Sequence, residues 1–385
     1  MQSTFSSAPS RRRILGALAV LPLAASLRAR AADDTGPIKI AQSIALTGPL
    51  GELGQAMHQG AKVCFSNVNA KGGVHGRPIE LTVADDGYDV KRALANVAGF
   101  MEDRSNFALF NCMGTPAIEA MLPKVIESGI PFFAPFSGAL SIRPKNTRNV
   151  FNIRASYADE AEQLVQHLAT VGIKRIAIVY QNNSFGKEVF SATQQAMAHY
   201  KLEAIATVTV ENDSSDAQAA AKKIAASAPE AVLVGLAGKP TIAFVKAVRQ
   251  ERKGLQLYAL SIMGAAATIQ TLGADATGMT ISQIVPLPSN MSRPVVRDFQ
   301  LAWKAANVAL EPSHLALEGY INARVFTEAL RRAGKNPTRA GFVDSTWGIR
   351  NLDLGGFAVS FSESTLNASR FVELTMVSSN GRFIR

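Results

Sequence analysis

The hydrophobic period of this chain switches back and forth between residues 38 and 285. Short β-branched runs read as strands at 38–46, 79–84, 107–111 and 131–134, and the amphipathic stretches between them read as helices at 54–70, 90–103 and 116–128. Such alternation demands a parallel sheet with helices on both faces. A second series follows the same logic, with helices at 159–171, 186–200, 217–226 and 241–252 and strands at 175–180, 203–210, 231–235, 256–260 and 279–285. At 385 residues the chain exceeds the about 250–300 at which one hydrophobic core stops growing, so two doubly wound units in tandem are expected.

From about Pro288 the pattern changes. Helices are expected at 294–309 and 313–333, and Pro337 begins another, with no strand between them. They must therefore cover a sheet built earlier. The tail reads as strands at 356–361 and 370–377, then a turn at Ser379-Asn380-Gly381 before 382–385. Short links near 152–156, 285–289 and 352–355 are the expected crossings between two lobes.

The formal charge of +10 suggests a nucleic-acid partner only until its distribution is examined, because Arg11, Arg12, Arg13, Arg28 and Arg30 all lie near the start. Removing those five halves the excess, and the remaining Lys and Arg form no basic run, so no nucleic-acid partner is expected. Residues 1–31 read as an export signal: paired arginines after Ser10, an apolar stretch from Ile14 to Leu27 shorter than the about 20 residues that span a bilayer, and Ala29-Arg30-Ala31 as a cleavage region. The arginine pair resembles a twin-arginine signal, with Ile14 where that signal favours Phe, and a general secretion signal stays open. Periplasmic localisation is the expectation. Cys64 and Cys112 are far apart, and export permits a disulfide without requiring one; Cys64 shares a helical face with Met57 and Val68, which fits a buried thiol. The five His and two Cys show no zinc spacing, so no metal or cofactor is expected.

In a parallel sheet, ligands bind where strands end and helices begin, because unpaired N–H groups point into that crevice. The loops there are Leu46-Thr47-Gly48-Pro49-Leu50-Gly51, Asn111-Cys112-Met113-Gly114-Thr115-Pro116 and Pro135-Phe136-Ser137-Gly138-Ala139. Small, hydroxyl-bearing and glycine-containing, they suit a carboxylate or another small polar head. Helix capping by Thr115 and Ser137 explains the same residues without a ligand. In the second unit the matching loop, Gln181-Asn182-Asn183-Ser184-Phe185-Gly186, places Phe185 where it either closes over a ligand or packs on its own helix.

The loop Thr47-Gly48-Pro49, the segment from Asn67 through Lys71-Gly72-Gly73-Val74-His75-Gly76-Arg77-Pro78-Ile79, and Ala84-Asp85-Asp86-Gly87-Tyr88-Asp89 together resemble the periplasmic branched-chain-amino-acid-type binding proteins of ABC importers. The resemblance continues through Gly129-Ile130-Pro131 and Tyr180 to Gly186, in order, over nearly the whole chain after the signal. It implies a type I periplasmic binding fold, α/β, with two Rossmann-like lobes joined by three crossing segments and closing on a ligand by hinge motion, as periplasmic binding proteins are known to do. Lobe 1 is then 37–154 with 288–350, and lobe 2 is 155–287 with 355–385. By position the resemblance assigns the ligand carboxylate to the Thr115 hydroxyl, a backbone carbonyl to Phe136, backbone N–H and hydroxyl to Gly138 and Ser137, and the covering aromatic to Phe185. The implied partners are a small-molecule solute and ABC permease subunits, and the implied state is a monomer.

Two departures narrow the ligand. Leu236-Ala237-Gly238 stands where amino-acid binders of this kind carry an aromatic, and Ser261-Ile262-Met263-Gly264 stands where they carry the acid that pairs with an α-ammonium. A buried ammonium without that partner is costly. The expected ligand is a carboxylate with an apolar or aromatic body, met by Leu50, Phe136, Phe185, Leu236 and Met263, with an amino acid as the other option. Dinucleotide, P-loop and nucleophile-elbow fingerprints are missing. Ser184-Phe185-Gly186-Lys187 matches SxxK without its partner motifs, and Asp89 reads as a helix cap. A binding protein, not an enzyme, is expected, and a ligand-sensing protein for a separate receptor is the alternative.

Overall fold

In the computed structural model, residues 36–145, 147–263, 265–362 and 365–385 are described; the export-signal reading of 1–31 lies outside them. The first series folds as β1 (Ile38–Ile44), α1 (Gly51–Ala70), β2 (Ile79–Asp85), α2 (Val90–Glu102), β3 (Asn106–Phe110), α3 (Thr115–Ser128), β4 (Phe132–Phe133) and β5 (Val150–Phe151). Its five strands lie in the order β2-β1-β3-β4-β5, all parallel. β1 is buried on both faces except at Lys39, as a central strand covered by helices must be.

The second series gives α4 (Tyr157–Thr170), β6 (Ile176–Gln181), α5 (Ser184–His199), β7 (Ala204–Val210), α6 (Ala217–Ala226), β8 (Ala231–Gly235), α7 (Lys239–Glu251), β9 (Gln256–Ala259), α8 (Ala266–Leu272) and β10 (Thr280–Gln283). There follow α9 (Pro294–Ala305), α10 (His314–Ala333), α11 (Arg339–Trp347), β11 (Leu352–Asp353), β12 (Ala358–Val359), β13 (Glu373–Val377) and β14 (Phe383–Ile384). The second sheet runs β14-β13-β10-β9-β8-β6-β7, parallel except for β13 and β14.

The late helices return to the first sheet. α10 is buried over nearly all of its circumference, because α1, α9 and α11 all pack on it. Beneath it Phe110, Phe133, Phe151, Phe326, Phe342 and Phe361 form a continuous aromatic core. The tail divides: Phe357, Val359 and Phe361 bury with this aromatic core, whereas β13 and β14 extend the second sheet.

Several short elements differ from the sequence expectation. β5 and α8 were not expected, since two strand residues or two helical turns establish no period. The strand expected at 356–361 is the two-residue β12, which pairs with β11 in a separate hairpin. α9 stops at Ala305 rather than 309, and Asn307 then takes a left-handed φ of 48°.

Candidate functional site

The site grows out of the C-terminal ends of β1, β3 and β4. Beyond β3 the chain stays in register for two more residues: Met113 N–H donates to the Ser43 carbonyl (3.1 Å) and Phe136 N–H to the Cys112 carbonyl (2.8 Å). This carries the loops past the end of the sheet and delivers Thr115 to the first turn of α3. There the Thr115 and Ser137 hydroxyls are 2.7 Å apart, and Ser137 Oγ accepts the Ala139 N–H at 3.2 Å. Gly138 follows, its carbonyl accepting the Tyr157 N–H (2.8 Å). A Cβ at Gly138 would lie 2.4 Å from the Tyr157 ring, so this loop and the start of α4 approach as closely as only glycine allows.

Across from these loops stands the second lobe. Phe185, in the first turn of α5, meets the Tyr157 ring edge-on at 5.5 Å, and Asn183 caps that helix by accepting the Gly186 N–H. Leu50, Tyr88, Thr115, Phe136, Tyr157, Phe185, Ala237 and Ile262 enclose a cavity of about 10 Å³, about the space of a single water. The lobes are shut around it. Gly238 lies so close to the first lobe that a Cβ would be 2.1 Å from the Pro49 carbonyl oxygen, and the Leu140 N–H donates to Glu188 Oε2 on α5 at 3.0 Å.

Comparison with known proteins bears on what such a cleft is. Residues 37–382 match the periplasmic binding protein family. The chain belongs to that family. Among solved structures it is similar to a substrate-binding periplasmic protein from Ralstonia solanacearum, with 29% identity, a TM-score of 0.85 and coverage of 90% of this chain and 99% of that one. It is also similar to Leu/Ile/Val-binding protein homolog 7 of Brucella abortus, 22% identical over 324 residues that make up 80% of each chain. A solute-binding protein from R. palustris in complex with benzoate shares the fold, with a TM-score of 0.81, 19% identity and coverage of 91% of this chain and 95% of that one. The type I periplasmic binding fold is therefore established for this binding protein, together with an extracytoplasmic, solute-binding role at the level of the family. Among the described residues, no helix is long and apolar enough to cross a membrane.

Within this binding protein, four of the residues singled out in the sequence, Leu50, Thr115, Phe136 and Phe185, line one cavity. Ser137 and Gly138 sit directly behind it, joined to the Thr115 hydroxyl and to Tyr157. Phe136 contributes its ring, while its carbonyl, assigned to a ligand by resemblance, accepts the Gly114 N–H at 3.3 Å. Leu236 and Met263 are a correction: both are fully buried in the core of the second lobe, and their neighbours Ala237 and Ile262 face the cavity instead. Side chains of successive residues point in different directions, both just past β8 at Leu236 and in the short helical turn 261–263 that holds Met263, so a one-residue misplacement exchanges core for cleft. Tyr88 and Tyr157 also line the cavity and were not singled out, although Tyr88 stood in the quoted Asp85-Asp86-Gly87-Tyr88 segment. Cys64 and Cys112 are free and buried, and burial pushes both thiols up to about 12.

Buried charge collects behind the cleft. Arg154, in the first crossing, lies 3.6 Å from Glu160 on α4 and 3.7 Å from Glu318 on α10, donates to Ser261 Oγ (2.7 Å), and sits over the Phe136 ring at 5.2 Å. Glu160 accepts from Ser261 N–H (2.7 Å) and Ser282 Oγ (2.7 Å) within the second lobe, while Glu318 on α10 brings the first lobe to the same Arg154. Burial, with the Glu160 charge adding to it and Arg154 opposing, lifts the Glu318 carboxyl to about 7. No acidic side chain lines the cavity among the described residues, and no cluster of His, Cys, Asp and Glu is arranged there to hold a metal ion.

Proposed function

We propose that this binding protein captures a small acid with an apolar or aromatic body and no α-ammonium, closes its lobes on it, and delivers it to an ABC permease. One observation carries the reading. Thr115, its hydroxyl 2.7 Å from that of Ser137, lines a cavity whose other walls are mainly aromatic and aliphatic; Ser137 and Gly138 stand directly behind it, and among the described residues no carboxylate lines it to pair an ammonium. A carboxylate takes hydroxyl and amide donors well, and charge-assisted hydrogen bonds of this kind are about twice as strong as neutral ones. An α-ammonium in the same place would be desolvated without a partner.

Capture works by differential contact. In the open form the first-lobe loops hold the head group, and closure brings Phe185, Ala237 and Ile262 onto the body. Contacts made only in the closed form shift the population toward it. The closed monomer then presents both lobe surfaces to the permease. Export by the twin-arginine route, read from Arg11-Arg12 and the apolar stretch behind them, would deliver the folded protein to the periplasm.

A calorimetric panel tests the solute class. It holds leucine, isoleucine and valine on one side, and benzoate, phenylacetate, butyrate and octanoate on the other. Binding of one or more ammonium-free acids, with leucine and valine weaker, is expected. Tight binding of leucine or valine and no response to the other acids would overturn the reading.

A further inference from the structure

The Ser137–Ala139 loop rests on a buried cation that has no buried carboxylate beside it. Arg143 is 3% exposed, and its guanidinium donates to the carbonyls of Ser137 (3.2 Å), Ala139 and Arg154 (3.3 Å). Among the described residues, no carboxylate forms an ion pair with it, and its Nε is buried without an acceptor. The acids nearest in effect, Asp159 and Glu188, are engaged elsewhere: Asp159 with Arg370 and the Ser156 cap, Glu188 with the Leu140 N–H. Glu160 and Glu318 meet Arg154. Burial lowers Arg143 to about 10, so it stays charged at neutral pH.

The geometry fixes where that charge is felt. In a planar trans peptide the C=O and the following N–H point in opposite directions. With the Ser137 and Ala139 carbonyls drawn back onto Arg143, the N–H groups of Gly138 and Leu140 are aimed away from it. The Leu140 N–H shows which way that is, because it reaches across to Glu188 on the second lobe. It already holds a carboxylate. The Gly138 N–H has the same sense, and no acceptor for it exists among the described residues.

We infer that Arg143 is the positioning residue that makes this cleft select an anion: it polarises and orients the Gly138 peptide from behind, without touching the solute, and the solute's negative charge is the one that offsets it. The inference rests on the proposed capture of an acid and adds the residue that distinguishes an acid from its uncharged isostere. An isolated buried charge is expensive, and an anion held on the far side of one peptide unit relieves that cost only in the closed, loaded form.

The test compares each acid of the panel with its primary amide, benzoate with benzamide and octanoate with octanamide, on the purified chain, Arg143→Gln and Arg143→Lys. Wild type is expected to favour the acid, Arg143→Gln to lose about tenfold or more of that acid-to-amide ratio, and Arg143→Lys to keep most of the ratio while binding both members more weakly. A role limited to shaping the loop would lower acid and amide alike, so an unchanged ratio in folded Arg143→Gln overturns the inference while leaving acid capture intact. Failure of every acid to bind wild type overturns both. The salt dependence of the wild-type ratio decides the matter should Arg143→Gln not fold. A buried charge is weakly screened, so a ratio that holds from low to high salt supports Arg143, and one that collapses assigns the preference to surface cations instead.

Discussion

Thr115 and Glu318 are both buried and polar, and they differ in what removal of the polar group should do. Thr115 is 1% exposed with its hydroxyl on Ser137 and the cavity wall. If it meets the solute head, Thr115→Ala weakens acid binding by about 1–3 kcal/mol, the cost of leaving a buried partner unpaired, and calorimetry reads this directly. An unchanged affinity would reduce Thr115 to a partner of Ser137. Glu318 instead shapes pH dependence. Facing it are Arg154 and Glu160, and its carboxyl is lifted from 4.5 to about 7. A folded value above the unfolded one means that the stability contributed by protonated Glu318 is complete below the ordinary carboxylate range and is lost as pH rises through about 7. The urea midpoint of the wild type should fall over that window, and that of Glu318→Gln should fall less. Identical profiles would contradict the assignment.

At the scale of elements, the approach of the Ser137–Ala139 loop to α4 sets the back wall of the cleft. Gly138→Ala puts a methyl 2.4 Å from the Tyr157 ring; an expected loss of about 1–3 kcal/mol of stability follows from overpacking, with weaker solute binding because Tyr157 lines the cavity. Thermal and denaturant unfolding test the first part, calorimetry the second. α4 itself begins with a full capping box, Ser156 with Asp159, and Arg370 of the tail grips the same Asp159. Elements such as α4 and the loops at the strand ends were legible in the sequence because period, caps and glycines are local signals. The direction of a side chain in the loop or turn beyond a strand is not local, and this is why Leu236 and Met263 were expected in the cleft that Ala237 and Ile262 occupy. Arg143 and Arg154 gave no sequence signal at all: an arginine becomes a buried charge only when the loop, the crossing and α10 come together in space. The two-residue strands β5 and β11 carried no period to read.

For the whole molecule, the account requires two lobes that part and close. Contacts between them in the shut form include Gly238 against Pro49 and Glu188 on the Leu140 amide. Gly238 also holds φ at 60°, where L side chains strain. Gly238→Val should therefore wedge the cleft, lowering solute affinity and preventing full closure. Small-angle X-ray scattering on the purified chain, with and without the acid that binds best, measures the closure itself. The account predicts a radius of gyration that shrinks at saturation. An identical radius in the free and loaded protein, with binding confirmed in the same sample, would contradict it.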